Sequence, residues 1–519
     1  MRSKPMILVA LLLASFAINL DTTMVNVALP SLVRELHATT TQLQWVVDAF
    51  NLAFAALLLT FGSLSDRFGR KGMLLAGLTV FGAASLVGGF TTSPGALIAA
   101  RSVMGLGAAM TFPATLSLIS NVFTQRRERA RAIGLWGAIA GVAIALGPIV
   151  GGWLLESFSW TSIFIAMAPV AAVAIALAAA SVPASKSQDA APVDFAGLML
   201  SAATMGLLVF TIIEAPDYGW TSVRSLLGFA VSAVLLAAFI GWERRVAHPM
   251  LDVRLFRNMR FSAASGAVTI AFFTLFGFIF LITQYFQFVK GYGPLSTGVH
   301  LLPVALAVGL GSVAGTQLAV RTGTKLIVTL GLVAMAAFYG WAAATTSATL
   351  GYGIIAVQMV LYGLGMGLTS APATESIMGA VSRRQAGVGS AINDSTRLLG
   401  GTLGVAVIGS VFASLYGSRL TARLPTGLPG PVQAIAHQSL GAAYAVSGRV
   451  PGALGRAVHD AATNAFLHGL SIGCLVAGGV AAAGAILAVV FLPAQPASSA
   501  VIPPPSVPAV SPAEESARF

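Results

Sequence analysis

The sequence predicts an all-α polytopic membrane protein of fourteen transmembrane helices, with two six-helix halves and two additional central helices between them. Three observations carry this. Apolar runs of roughly 20 residues recur along the whole length, each long enough to cross a hydrocarbon core as a helix. Of the 519 residues, 56% are hydrophobic and 9% charged, and the mean hydropathy is +0.86. A soluble domain could not hide that surface, because a folded chain of this size leaves about a quarter of it wet. Finally, a shift of 254 residues (320 − 66) lays "DRFGRK" (66–71) on "VRTGTK" (320–325) and Gly147 on Gly401. One register that serves two helix pairs points to two related halves. The shift crosses eight apolar runs rather than six, so the runs near Met205 and Val234 lie between the halves.

In chain order the runs centre near Leu13, Phe54, Val80, Gly107, Ala143, Val170, Met205, Val234, Leu275, Val308, Ala334, Gly363, Val405 and Gly479. The first has the flavour of a signal peptide, but it continues into "DTTMVNVALPSL" before any clear cleavage site and reads as an uncleaved helix. An even number of spans puts both termini on one side. That side holds 20 Lys and Arg and the other 7, with Arg101 and Arg397 inside spans. The basic side is the cytoplasmic one, so a cell-membrane protein with both termini in the cytoplasm is expected. The net charge of +12 is then largely a topology signal, and no nucleic-acid partner is expected. The expected organisation is a first half over 1–183, the two extra helices and their linker over 184–258, and a second half over 259–492. The last contains a partly ordered outer loop, 414–464. A Pro/Ser/Ala-rich stretch over 493–519 reads as a disordered cytoplasmic tail.

Several stretches are not explained by topology alone. In "GSLSDRFGRK" (62–71) the bases obey the positive-inside rule, but the glycine spacing and Asp66 do not follow from it. Glycine lets the chain turn sharply, and Asp66 can pair with neighbouring arginines or face a helix N-terminus. In "GLWGAIAGVAIALGPIVGGWL" (134–154), six glycines and Pro148 make one thin, bendable helix. Among only 17 acids, five fall inside spans or near their ends: Asp21, Asp48, Glu214, Glu375 and Asp394. A charge at the bilayer centre costs about 2.5–3.5 kcal/mol on insertion scales, so it usually lines a cavity or has a partner. Desolvation favours the protonated acid, which is what proton coupling needs. Asp394 and Arg397 lie three apart on one helix face and can simply neutralise each other. Glu375 and Glu214 fit solvated helix ends as well as binding roles. Arg101 can snorkel to the interface or tune a nearby carboxylate. Trp45 lies three residues before Asp48 on a shared face, so ring and charge could meet one cation. Phe50, Phe54, Trp136, Phe276, Phe280 and Tyr285 are further aromatics available to line a site.

Together these stretches resemble the major facilitator superfamily, and specifically the fourteen-helix drug:proton antiporters of the QacA/EmrB type. "GSLSDRFGRK" matches the superfamily's loop between helices 2 and 3. "LDTTMVNVALP" (20–30) matches the first-helix signature of these exporters. "RSVMGLGAAMTFPA" (101–114) resembles the helix-4 motif with its membrane arginine, and residues 134–154 resemble the helix-5 antiporter motif. The second half matches mainly in layout. The resemblance implies a major facilitator fold and a proton-coupled multidrug efflux antiporter that works by alternating access. Taken with it, the residues expected to couple protons are Asp21, Arg101 and Asp394. Those expected to contact substrate, a lipophilic cation, are Asp48, Trp45, Phe54, Glu375 and Glu214. A conformational latch is expected from Gly62, Asp66, Arg67, Gly69, Arg70 and Lys71, and the antiporter helix from Gly134, Gly147, Pro148 and Gly151. The protein is expected to work as a monomer in the bilayer.

Other classes fit less well. The six histidines have no metal-ligand or nucleophile spacing, Cys474 stands alone, and no G-x-x-x-x-G-K-[ST] loop is present. No enzyme, metal, cofactor or ATP-driven pump is therefore expected. An exporter dedicated to one metabolite or antibiotic is the main alternative. A nutrient importer is opposed by the helix-5 pattern and the span count.

Overall fold

The computed structural model describes residues 3–186, 193–381, 386–425 and 428–493; the expected tail lies, beyond Pro493, outside the described residues. Among these residues, fourteen helices are long and apolar enough to cross a membrane. They are α1 (Lys4–Leu36), α2 (Thr40–Phe68), α3 (Arg70–Gly89), α4 (Pro94–Val122), α5 (Arg126–Ser157), α6 (Ser162–Ser181) and α7 (Phe195–Tyr218), followed by α8 (Val223–Glu243), α9 (Met259–Val289), α10 (Pro294–Thr322), α11 (Thr324–Thr345), α12 (Tyr352–Ala380), α13 (Ala386–Arg423) and α14 (Gly452–Phe491). Polar caps mark several starts. Thr39 and Gln42 form a capping box before α2, and Ser93, Asp194 and Ser222 cap α4, α7 and α8.

The repeat reaches into the packing. Gly69 (φ +118°) and Gly323 (φ +94°) turn the chain after α2 and α10 in a conformation that side chains rarely adopt. The same register carries Gly77 onto Gly331. Gly77 lets α3 approach the Gly107 carbonyl and Thr111 of α4; Gly331 lets α11 approach the Gly365 carbonyl and Thr369 of α12. Each threonine hydroxyl donates to the carbonyl four residues back, at 2.9 Å and 2.8 Å. Small residues at these crossings give the close backbone approach that membrane helices use in place of hydrophobic driving force.

Helices α1–α6 pack together, and so do α9–α14. The additional helices α7 and α8 pair with each other. Val209, Ile212 and Ile213 of α7 seat on Ala406 of α13, beside Trp45 and Leu52 of α2. Helix α8 stands outermost and meets α7 where Gly228 faces Thr211.

The segment 414–464, expected as a partly ordered loop, is mostly helical. Helices α13 and α14 have 38 and 40 residues, which is about 60 Å at 1.5 Å per residue and twice a hydrocarbon core. Two short helices, Gly430–Gln438 and Leu440–Ser447, lie between them. The cause is apolar spacing by turns: Tyr416 and Leu420 are both buried, and the Tyr416 hydroxyl donates to the Ala436 carbonyl at 3.0 Å.

The two halves meet at the end of the bundle opposite the termini. There Gln44 Nε2 of α2 donates to the carbonyls of Val405 (3.3 Å) and Ala406 (3.1 Å) of α13. Gln287 Nε2 of α9 donates to the Val27 carbonyl of α1 at 2.8 Å. Gly152 of α5 abuts Pro294 of α10, and Gly298 of α10 abuts the Pro148 carbonyl. Toward the terminal end, Gly134, Gly137 and Gly141 of α5 face open space.

Candidate functional site

That asymmetry leaves a cavity of about 510 Å³ between the halves, built from α1, α4, α5, α9, α10, α12 and α13. Its size falls in the range of drug-binding pockets. Most of the wall is aliphatic. Phe112, Trp136 and Phe272 supply rings, and Asn19, Asn393, Asp394 and Arg397 supply polarity. Asp394 and Arg397 pair loosely, at 3.8 Å, with side chains 14% and 40% exposed. At such a gap the attraction is roughly 4 kcal/mol at an effective dielectric of 20, and exposure of the arginine reduces it toward the surface-pair value of about 0–1 kcal/mol. The Arg397 guanidinium lies 4.7 Å from the Phe272 ring centroid, which shares its charge.

Asp21 and Arg101 form a different kind of pair. Both side chains are sealed from solvent, and Arg101 Nη1 donates to Asp21 Oδ2 at 2.5 Å. Arg101 Nε donates to the Val46 carbonyl at 3.0 Å, and the guanidinium sits 4.3 Å from the Phe50 centroid. One arginine thus ties α1, α2 and α4 together. From it runs a line of rings: Phe50 to Phe54 (6.0 Å), Phe54 to Phe112 (5.6 Å) and Phe112 to Trp136 (4.9 Å), the last two on the cavity wall.

The remaining expected contacts lie off the cavity. Asp48 is wholly buried, and among the described residues neither carboxylate oxygen has a hydrogen-bond partner. On the helical wheel it falls between Trp45 and Leu52, which face α7, and Gln44, which faces α13. Trp45 Nε1 donates to Glu214 Oε1 of α7 at 3.0 Å, so ring and acid bind each other at the α2–α7 seam. Glu375 is exposed near the terminal end of α12, while its neighbours Thr374 and Met378 line the cavity. Phe276, Phe280 and Tyr285 are packed inside the second half.

In the α2–α3 turn, Asp66 Oδ1 accepts from Arg70 Nε at 2.7 Å and from Ser117 Oγ of α4 at 3.1 Å. Lys71 Nζ donates to the Ala179 carbonyl at 2.7 Å, and Gly62 faces Pro113. Arg67 is exposed over Phe68. These contacts all stay within the first half.

On α5 the glycines divide. Gly147 and Gly151 receive Thr23 and Met24 of α1, whereas Gly134 is open. Pro148 has no N–H for the Ile144 carbonyl; the Thr23 hydroxyl donates to that carbonyl instead, at 3.2 Å. Sequence reasoning missed Thr23 of α1 and Gly298 of α10 as partners of this helix. The "DTTM" stretch and the Gly-Pro pair are visible in the sequence, but their meeting is tertiary.

Comparison with known proteins agrees with this geometry. The model of the Major Facilitator Superfamily matches residues 11–405. The multidrug resistance protein Stp of Mycobacterium tuberculosis (strain CDC 1551 / Oshkosh) is 35% identical over 432 residues, covering 83% of this chain and 80% of Stp. The methyl viologen resistance protein SmvA of Salmonella typhimurium (strain 14028s / SGSC 2262) is 34% identical over 480 residues, covering 91% and 94%. Among solved structures, a bacterial homologue of the human lysosomal transporter Spinster, inward-facing and unoccupied, superposes with a TM-score of 0.67 at 18% identity, covering 94% of this chain and 98% of that one. An integral membrane protein with fourteen candidate spans, a cavity between two repeated halves and these relatives, the chain belongs to the Major Facilitator Superfamily.

Proposed function

We propose that this protein is a proton-coupled multidrug efflux antiporter of the cell membrane that exports lipophilic cations by alternating access, as a monomer with both termini in the cytoplasm. The observation that carries the reading is the cavity, open toward the terminal end, closed opposite, and walled by aliphatic side chains, rings and a loosely held carboxylate. With the termini inside, this is the inward-facing state, ready to take a compound from the cytoplasm or inner leaflet. Relatives named for multidrug and methyl viologen resistance support drug efflux, and methyl viologen is an organic dication.

The chemistry follows from charge compensation. A cation entering the cavity meets Asp394, whose bond to Arg397 is long enough to yield. Trp136 and Phe272 offer ring faces for the cation. Asp48 is a buried carboxyl without a donor, costly as an ion until a proton or a cation joins it. It serves to select cationic cargo from behind the wall, with Trp45 and Glu214 holding the adjacent seam and Phe54 the ring line. Asp21 with Arg101, and Asp394, handle the exchanged proton. Opening of the Asp21–Arg101 pair would release α1 and α2 from α4, which links protonation to the movement of helices.

Purified protein in liposomes tests this. With an imposed pH gradient, cationic dyes should be transported and protons should move in the opposite sense. Asp21→Asn should abolish gradient-driven transport, and intact transport in that variant would remove Asp21 from the mechanism.

A further inference from the structure

We propose that the two additional helices and the linker after them form a binding site for an anionic phospholipid at the terminal end of the bundle. Arg244, Arg254 and Arg257, with Val253, line a pocket of about 370 Å³. Arg244 follows the last turn of α8. The other two arginines belong to a short 3-10 helix, Val253–Arg257, in which residues three apart eclipse, so they point to one side.

Each acid nearby spends one oxygen on another partner, and the free oxygens of Asp194 and Glu243 are buried beside Gly197. Asp252 caps the short helix, accepting from the Arg254 N–H at 3.0 Å. Glu243 is turned inward, 3% exposed, and accepts from the Leu251 N–H at 3.1 Å. Trp242 Nε1 donates to Asp194 Oδ1 of α7 at 2.9 Å. Glu243 thus ties the linker to α8, and Trp242 ties α8 to the cap of α7, so the arginines converge on a built surface. None of the three pairs with a carboxylate among the described residues. Like charges held together without a counter-ion repel, and an anion with several oxygens relieves them. Guanidinium forks match phosphate in particular.

A phosphate group meets that requirement whether free or on a lipid. The neighbouring surface selects the lipid. Leu200, Ala237, Ala238, Gly241 and Trp242 line an apolar groove of about 620 Å³ along α7 and α8, with Arg245 at its mouth. Helix α8 packs chiefly on α7, and a side chain on Gly241 would meet no atom within 4 Å. Arg245 of the groove follows Arg244 of the basic pocket in the chain, so an apolar groove along the helix pair and a basic pocket at its end lie side by side, as acyl chain and headgroup require.

Native mass spectrometry of the full chain, with phosphatidylglycerol and phosphatidylcholine added back separately, tests the assignment. The protein should retain phosphatidylglycerol selectively. Combined Arg244→Gln, Arg254→Gln and Arg257→Gln should weaken retention about a hundredfold, at roughly fivefold for each arginine, while the corresponding Lys triple should keep most of it. Gly241→Phe, which fills the groove without touching the charges, should weaken retention as well. Equal retention of both lipids, or full retention by the Gln triple, would overturn the proposal. So would competition by inorganic phosphate in a Gly241→Phe protein that binds normally, because the pocket would then serve a soluble anion.

Discussion

Gly298 is the most exacting test of how the two halves seal. A methyl group there would overlap the Pro148 carbonyl oxygen, lie 2.6 Å from its carbon and lie 2.9 Å from the Ile149 nitrogen, where ordinary contact begins at 3.4 Å. All three atoms are backbone of α5, so none can swing aside as a side chain would. Gly298→Ala must therefore part α5 and α10 by about 1 Å. Overpacking of this kind costs about 1–3 kcal/mol. The whole penalty falls on the state in which the two helices touch, so the equilibrium should move 5- to 150-fold toward the alternative state. Spin labels at Phe158 and Thr349, exposed on opposite halves at the sealed end, report it by their distance distribution. The short-distance population should fall in Gly298→Ala and stay put in Gly309→Ala, because Gly309 lies on the same helix and faces open space. If both variants match the parent protein in distance and in transport, the α5–α10 contact is not the seal.

Thr23→Val keeps shape but removes the donor to the Ile144 carbonyl; a loss of about 0.6–1.7 kcal/mol is expected, read as a lower Tm, with Thr23→Ser near the parent protein. Asp66→Asn should leave drug binding roughly intact and slow turnover, since its partners Arg70 and Ser117 position a turn rather than touch the cavity; a collapse of binding affinity with an unchanged inward/outward distribution would reject the latch. Asp48→Asn should weaken efflux of cationic dyes more than that of neutral drugs measured side by side, and an equal loss for both would end the selectivity role.

The fold was largely legible because a bilayer imposes one rule on every span. Apolar runs of sufficient length give the helices, and Gly69 with Gly323 marks the same turn in both halves. In the cavity wall, Asp394 and Arg397 were visible in the sequence as charges inside a span, but none of the five expected substrate contacts lines it, and the pairings were not legible. Asp21 and Arg101 stand 80 positions apart, and nothing in their spacing says that they meet at 2.5 Å. Trp45 and Asp48 share a helix face by period, yet Trp45 bonds Glu214 because α7 is wedged against α2, an arrangement that only the packing of the extra helices decides. The segment 414–464 misled for a related reason. Its glycines and prolines suggest a loop, but Tyr416 and Leu420 bury a face that keeps α13 helical past the bilayer.

Asp21, Asp394 and Asp48 show three degrees of compensation, and the roles proposed for them rest on the differences. Asp21 is held by a short bond to an arginine that is itself fixed by a backbone carbonyl and a ring. Separating that pair without replacement would leave two buried charges, a loss of several kcal/mol. Such a pair can change only together with the helices that carry it, which suits a switch. Asp394 is bound at 3.8 Å to an arginine that solvent reaches and that a ring already stabilises, so a cation or proton can displace the arginine at small cost. That suits an exchange site open to the cavity. Asp48 has no donor among the described residues, and any charge it holds must be met by something that arrives. The ring line from Phe50 through Phe54 and Phe112 to Trp136 is the contiguous packing between the Asp21–Arg101 pair and the cavity. Contiguity fixes where to look for coupling. Phe54→Ala would interrupt the line without touching either pair. If Phe54 transmits, that variant should uncouple drug binding from proton release while preserving both; if release still follows binding at the parental ratio, the helices alone carry the signal.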